Sequence, residues 1–285
     1  MKFPVVRTTV SVLDYCWRER KLAMHFGLRP LLIVLVLNVA AVALIGREAL
    51  SVPEGTMPDE KFFILPLAIN LIQMAVYLPL SVTWLRLVVL GEEAARSRSI
   101  FTFGPAERRF FGWQIASFFA ALAILAIGLG STYALAMLIE DPTLLSENTK
   151  IFLGFLALGW MCIWGAALLV GLMRVTMIFV FAALDQPVSF RAAWTMTAGF
   201  TRLLLGATIL LALASVAVSL LFKVVGFIVG SLAAVITSSE IDLIALAITT
   251  LGGCVTSLMF WLTASTLYGL VYKMIVKDVP LPTGI

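Results

Sequence analysis

Charge is scarce in this chain. Of 285 residues only 13% are Asp, Glu, Lys or Arg, while 61% are apolar. A soluble domain carries about 25% charged and about 45–50% apolar residues. A soluble globular enzyme is therefore excluded, and so is a disordered chain, which requires low hydrophobicity. Histidine is scarcer still. The one present, His25, precedes the first long apolar run and reads as a solvated or headgroup-level residue. Histidine metal centres and Ser/His or Cys/His nucleophiles need a placed imidazole. The three cysteines, Cys16, Cys162 and Cys254, are odd in number and far apart. They make no disulfide framework and no zinc spacing, and read as small packing residues. No acid lies within an apolar run, which argues against a proton-coupled pump. No P-loop, HExxH, GxSxG or GxGxxG arrangement occurs. Hence no catalytic residue, metal or cofactor is expected, and the chain reads as a non-enzyme. The net charge of +4 is too small to suggest nucleic acid.

What remains is an integral membrane protein with several helical spans. A span needs about 20 mostly apolar residues, and six regions qualify. They run from about Pro30 to Ile45, Phe62 to Leu90, Trp113 to Ile139, Ile151 to Leu184, Leu203 to Ile236 and Ile241 to Val276. Several exceed one bilayer, which implies tilted helices projecting past the headgroups, or re-entrant turns. The first long run begins at Leu31, too deep for a secretory signal, so the first span is expected to insert and stay.

The connections alternate in charge. The segment before the first span, the second and fourth connections with their flanks, and the tail hold sixteen of the 20 basic residues. The other three connections hold Arg47, Lys61 and Lys150 beside nine acids. By the positive-inside bias both termini are cytoplasmic.

The segments before the odd-numbered spans read as amphipathic and interfacial. In the first, Val6, Val10, Leu13 and Trp17 form an apolar stripe opposite Arg7, Ser11, Asp14 and Arg18. The second is built around Pro105, with Phe101, Phe103, Phe110, Phe111, Arg108 and Arg109. In the third, Ser189 is a candidate N-cap, with Phe190 and Trp194 on one face and Arg191 on another. Aromatics interleaved with arginines suit a membrane interface. The expected architecture is all-α: one membrane domain over 1–285, built as three helical hairpins. Each hairpin follows an interfacial amphipathic helix, in pseudo-repeats of about 1–92, 93–185 and 186–285.

The run Ser189-Phe190-Arg191-Ala192-Ala193-Trp194, followed by Gly199 and Arg202-Leu203-Leu204, resembles a recurring feature of bacterial membrane proteins. It is similar to the integral-membrane domain found beside glycerophosphoryl diester phosphodiesterases, and to free-standing relatives of that domain. The resemblance implies six helices with a short Ser-initiated interfacial helix before a late hairpin, and a bacterial inner membrane as the expected location. It does not imply phosphodiester hydrolysis, which belongs to a separate soluble domain that this sequence does not contain.

Polar residues inside spans are the default functional candidates. Asn70 and Gln73 share a face of the second span, and Lys223 lies deep in the fifth, just before the GxxxG pair Gly226 and Gly230. That pair suits close helix packing. Arg86, Arg174 and Lys273 lie near the cytoplasmic ends of the second, fourth and sixth spans, the two arginines followed by further apolar residues. If the three units pack about a pseudo-threefold axis, these cations meet, and a shared anionic phospholipid headgroup would hold them together. Three functions compete: a non-enzymatic protein that organises or senses lipid or scaffolds a membrane partner, a transporter or channel for a small or lipidic substrate, and a lipid-modifying membrane enzyme.

Overall fold

A computed structural model describes residues 4–49, 61–97, 103–140, 147–187, 189–236 and 241–276. Among them the chain is helical, with no strand. The helices are α1 (Pro4–Arg18), α2 (Arg20–Ala49), α3 (Lys61–Leu90), α4 (Glu92–Arg96), α5 (Pro105–Glu140), α6 (Glu147–Ala183), α7 (Phe190–Met196), α8 (Thr201–Ile236) and α9 (Ile241–Val276). Six of them, α2, α3, α5, α6, α8 and α9, are long and apolar enough to cross a membrane. These are the six expected runs. Pro30, Pro66 and Pro79 lie inside helices without ending them. In a membrane, neighbouring helices and side chains re-satisfy the carbonyls that proline frees.

The inner half of α3 is the centre of the molecule. Tyr77, Leu78, Leu80, Val82, Trp84, Leu85, Leu87, Val88 and Val89 are all buried. A helix apolar all round can be buried all round, and α3 packs against α2, α5, α6 and α9. Close approach is set by glycine. A Cβ on Gly269 of α9 would lie 2.6 Å from a methyl carbon of Val88, and one on Gly252 would collide with Phe222 of α8. Elsewhere α5 packs along α6, where Trp160 Nε1 donates to Ser131 Oγ at 2.8 Å. Core hydroxyls turn back on their own helices, as Ser81 does to Tyr77 O at 3.0 Å and Thr263 to Met259 O at 2.8 Å. None of these then needs a partner across the bundle.

The basic ends of the helices gather at one end of the bundle. Val5 of α1 abuts Gly206 near the start of α8, and Tyr15 reaches Leu87 near the end of α3. The end of α6 meets Arg86 of α3 and Arg109 of α5. The region around Pro105 differs from the expected separate amphipathic segment. Pro105 opens α5 itself, and Glu107 reaches back to accept from Gly104 N at 2.9 Å. Proline at the first helical position and a glutamate two residues later are strong start signals, so helix and span are continuous from there. Phe110 is buried against Phe179 of α6, ring centroids 5.1 Å apart, instead of lying at an interface.

Candidate functional site

The first helix docks by its small polar face. Thr8 and Thr9 turn their hydroxyls to Pro4 O (2.8 Å) and Val5 O (3.0 Å), which hides their polarity. Thr8, Thr9, Ser11 and Val12 are buried, and α1 packs on α8 and α9. The apolar stripe expected from the sequence, Val6, Val10, Leu13 and Trp17, is exposed, Trp17 at 69%. On the polar side Arg18 pairs with Asp14 at 2.7 Å.

Near its end α1 is tied to the core. Tyr15 O–H donates to Leu87 O at 3.4 Å, and its ring stands edge-on to Trp84 at 6.5 Å. Trp84 Nε1 donates to Thr266 Oγ1 at 2.8 Å, while Thr266 gives its own proton to Leu262 O at 2.8 Å. Cys16 Sγ lies 3.3 Å from the same Thr266 oxygen. Because the threonine proton is already committed, the thiol is the donor. Burial pushes the Cys16 thiol up to about 11. Burial also raises the Tyr15 phenol above its ordinary value, helped by the charge of Glu19.

Helix hydrogen bonds run through Glu19 into α2, from Glu19 N to Tyr15 O and from Ala23 N to Glu19 O. The end of α1, α2 and the middle of α9 line a groove of about 730 Å³. That is within the range of about 300–1,000 Å³ typical of ligand sites. Leu13, Met24, Leu31, Leu258 and Leu262 wall it, and Asp14, Trp17 and Arg20 form its edge. Arg20 stacks over Trp17, 5.0 Å from the ring centroid, and donates to Trp17 O at 3.1 Å. A cation held flat on an indole at the mouth of an apolar groove presents its remaining N–H donors outward.

Of the three cations expected to cluster, Arg86 and Arg174 each have partners of their own. Arg86 caps α6: its Nε donates to Ala183 O at 2.7 Å, and an Nη reaches Asp185 Oδ2 at 2.6 Å. Asp185 sits at φ 59°, with Asp185 N bonded to Ala182 O and Gln186 N to Phe181 O. This is a Schellman ending with Asp where Gly is usual. The turn aims the carboxylate at Arg86, and Arg109 closes on Asp185 from α5, donating to its carbonyl at 3.3 Å. Arg174 lies 4.8 Å from the Trp194 ring centroid, and its Nε donates to Thr201 Oγ1 at 3.2 Å. Its carbonyl accepts from Thr197 Oγ1 at 2.9 Å. Lys273 is half-buried near the end of α9, beside Tyr272, whose hydroxyl donates to Gln186 Oε1 at 3.2 Å.

Ser189 does cap a helix: Ala192 N donates to its Oγ at 3.2 Å, and α7 follows. Phe190 and Trp194 stack at 5.8 Å, and Arg191 is exposed. Of the polar span residues, Gln73 donates to Asn38 Oδ1 at 3.1 Å, and Asn38 donates to Val34 O at 2.8 Å. The side chain of Asn70 and the surroundings of Gly230 lie outside the described residues. Lys223 is exposed and Gly226 buried. Asn38, a single amide in the first apolar run, is the residue that sequence reasoning passed over. An isolated intramembrane amide was the available signal. Among the described residues no three His, Cys, Asp or Glu side chains gather as a metal site would need.

No family model, no curated protein and no solved structure matches this chain. The resemblance drawn from residues 185–206 therefore rests on the sequence pattern alone.

Proposed function

We propose that this chain is a non-enzymatic polytopic membrane protein that binds and organises phospholipid on its basic face. It crosses a bacterial inner membrane six times as three hairpins, with both termini cytoplasmic, and α1 and α7 lie in the interface ahead of the first and third. The observation that carries this reading is the apolar groove beneath α1. Its walls suit an acyl chain, and Arg20 and Trp17 at its edge suit a phosphate-bearing, anionic headgroup at the level of the interface. Arg86 is held by Ala183 O and Asp185, and Arg20, stacked on Trp17 at the mouth of the groove, is the headgroup cation proposed for this site. Against a transport path, Gln73 and Asn38 bond to each other, and the groove is apolar.

The test is lipid retention. Full-length protein extracted in mild detergent is expected to carry anionic phospholipid, identified by native mass spectrometry. Leu258→Trp, which fills the groove, and Arg20→Gln, which removes the cation, should each lower that retention at least about tenfold. Unchanged retention in both variants refutes the reading. Solute flux through the protein in sealed vesicles would move the assignment to a transporter.

A further inference from the structure

Gln114 is the one glutamine of α5, nine residues in from Pro105, and it is only 7% exposed. Its Oε1 is buried and has no hydrogen-bond partner. Inside a bilayer no bulk water compensates such an acceptor, so the carboxamide is costly as it stands. The side chain lines a cavity of about 250 Å³ bounded by α3, α5, α6 and α9. Leu85 and Phe260 belong to its apolar wall, Ser117, Thr176, Ser265 and Tyr268 supply hydroxyls that do not reach Gln114 Oε1, and no charged residue lines it. An empty apolar cavity is tolerated dry, whereas one with an unpaired buried acceptor calls for a donor.

Three features define the occupant. The lining excludes charge, so the ligand is neutral. The cavity lies in the seam between the tightly packed α5–α6 pair and helices α3 and α9, on which that pair packs only lightly, so the ligand comes from the bilayer. Leu85 is five residues from the end of α3, and Gln114 nine from the start of α5. At about 1.5 Å per residue the cavity sits about 8–14 Å in from those ends, near the boundary between headgroups and hydrocarbon. A hydroxyl both donates and accepts, so it satisfies either end of the carboxamide.

We infer that this cavity binds the head end of an uncharged glycerolipid with a free hydroxyl, of the diacylglycerol class. Its hydroxyl donates to Gln114 Oε1, and its chains leave along the seam between the α5–α6 pair and α9. The inference does not rest on the groove beneath α1, and either site can fail without the other.

The experiment measures equilibrium binding of labelled 1,2-dioctanoylglycerol to full-length protein in detergent, with the acetyl ester of the same lipid as control. The ester keeps the chains and loses the donor. Wild-type protein should bind the free alcohol about tenfold more tightly than the ester, one hydrogen bond's worth. Gln114→Leu should bind both equally and, without lipid, unfold at or above the wild-type temperature, because the orphan acceptor is gone. Should that variant fail to fold, Ala264→Leu fills the cavity with Gln114 in place and must lose diacylglycerol binding. Equal wild-type binding of alcohol and ester overturns the inference. So does no binding at all, a preference that survives Gln114→Leu, or diacylglycerol binding that survives Ala264→Leu. The acceptor is then met by water.

Discussion

Arg86 shows how one side chain can look like a ligand-binding cation and serve as a structural cap. Its guanidinium meets both the last carbonyl of α6 and the carboxylate of the turn that follows. The side chain is 13% exposed and that of Asp185 40%, so solvent screens one partner and not the other. Arg86→Ala is expected to cost about 1–3 kcal/mol, read as a lower unfolding temperature in detergent. Arg86→Lys should recover little, because a point charge cannot replace two directed N–H donors; full recovery would show that charge alone matters. Cys16 carries a second expectation. Its thiol titrates near 11 instead of near 9, so at pH 8 it holds about a hundredfold less thiolate than an ordinary thiol, and the thiolate is the reactive form. Maleimide labelling of native protein should be slow and should keep accelerating up to about pH 11. The linkage has the same sign. The unfolded thiol loses its proton near 9 and the folded one near 11. Stability from this residue is therefore whole below about pH 9 and falls as pH rises through 11. Fast labelling at pH 8 would mean that α1 does not dock as described.

Single helices differ in how far the sequence reveals them. The six long helices are plain from apolar length, because a span must satisfy its backbone internally and carries few charges. The N-cap at Ser189 is equally plain, since Asp-Gln-Pro before it already breaks α6. The docking of α1 is less so. The amphipathic stripe of Val6, Val10, Leu13 and Trp17 is visible in the spacing, but the face that holds α1 to the protein is made of threonines and a serine. Those look polar until their hydroxyls fold back on the helix. The same labelling reports on this element. A Cβ at Gly206 would lie 2.8 Å from a methyl carbon of Val5. Gly206→Val should therefore push the start of α1 away, at a cost of about 1–3 kcal/mol, and raise Cys16 labelling several-fold. Labelling at the wild-type rate would show that α1 absorbs the clash locally.

At the scale of the whole molecule, charge alternation between connections predicts orientation, and intact-cell labelling tests it. A cysteine at Pro53 or Pro142 should react from outside, and one at Arg98 should not. Labelling of Arg98→Cys in intact cells reverses the topology. The candidate sites were harder to read than the spans, for a physical reason. Arg20 and Trp17 are three residues apart and could be read locally. The groove, however, needs Leu258 and Leu262 from the far end of the chain, and the Gln114 cavity needs four helices. Which carboxylate would claim Arg86 depended on the left-handed turn at Asp185, where the sequence offers no glycine to mark it.

The candidate spans in α5, α6, α8 and α9, charged residues at their ends included, run 30–33 residues, about 45–50 Å at 1.5 Å per residue. The hydrocarbon of a typical bilayer is about 30 Å thick. Matching the two by tilt alone would require the helices to lean by about 50°, beyond the usual range of about 0–40°. Part of the difference is taken up at the charged helix ends, where Glu107, Arg108 and Arg109 open α5 outside the hydrocarbon, and the remainder is left for the surrounding lipid to match. A collar of stretched, ordered acyl chains around the protein is the elastic counterpart of its length. Thick, long-chain bilayers relax that strain and short-chain ones sharpen it, so copies of this protein should be drawn towards the thicker regions of a mixed membrane.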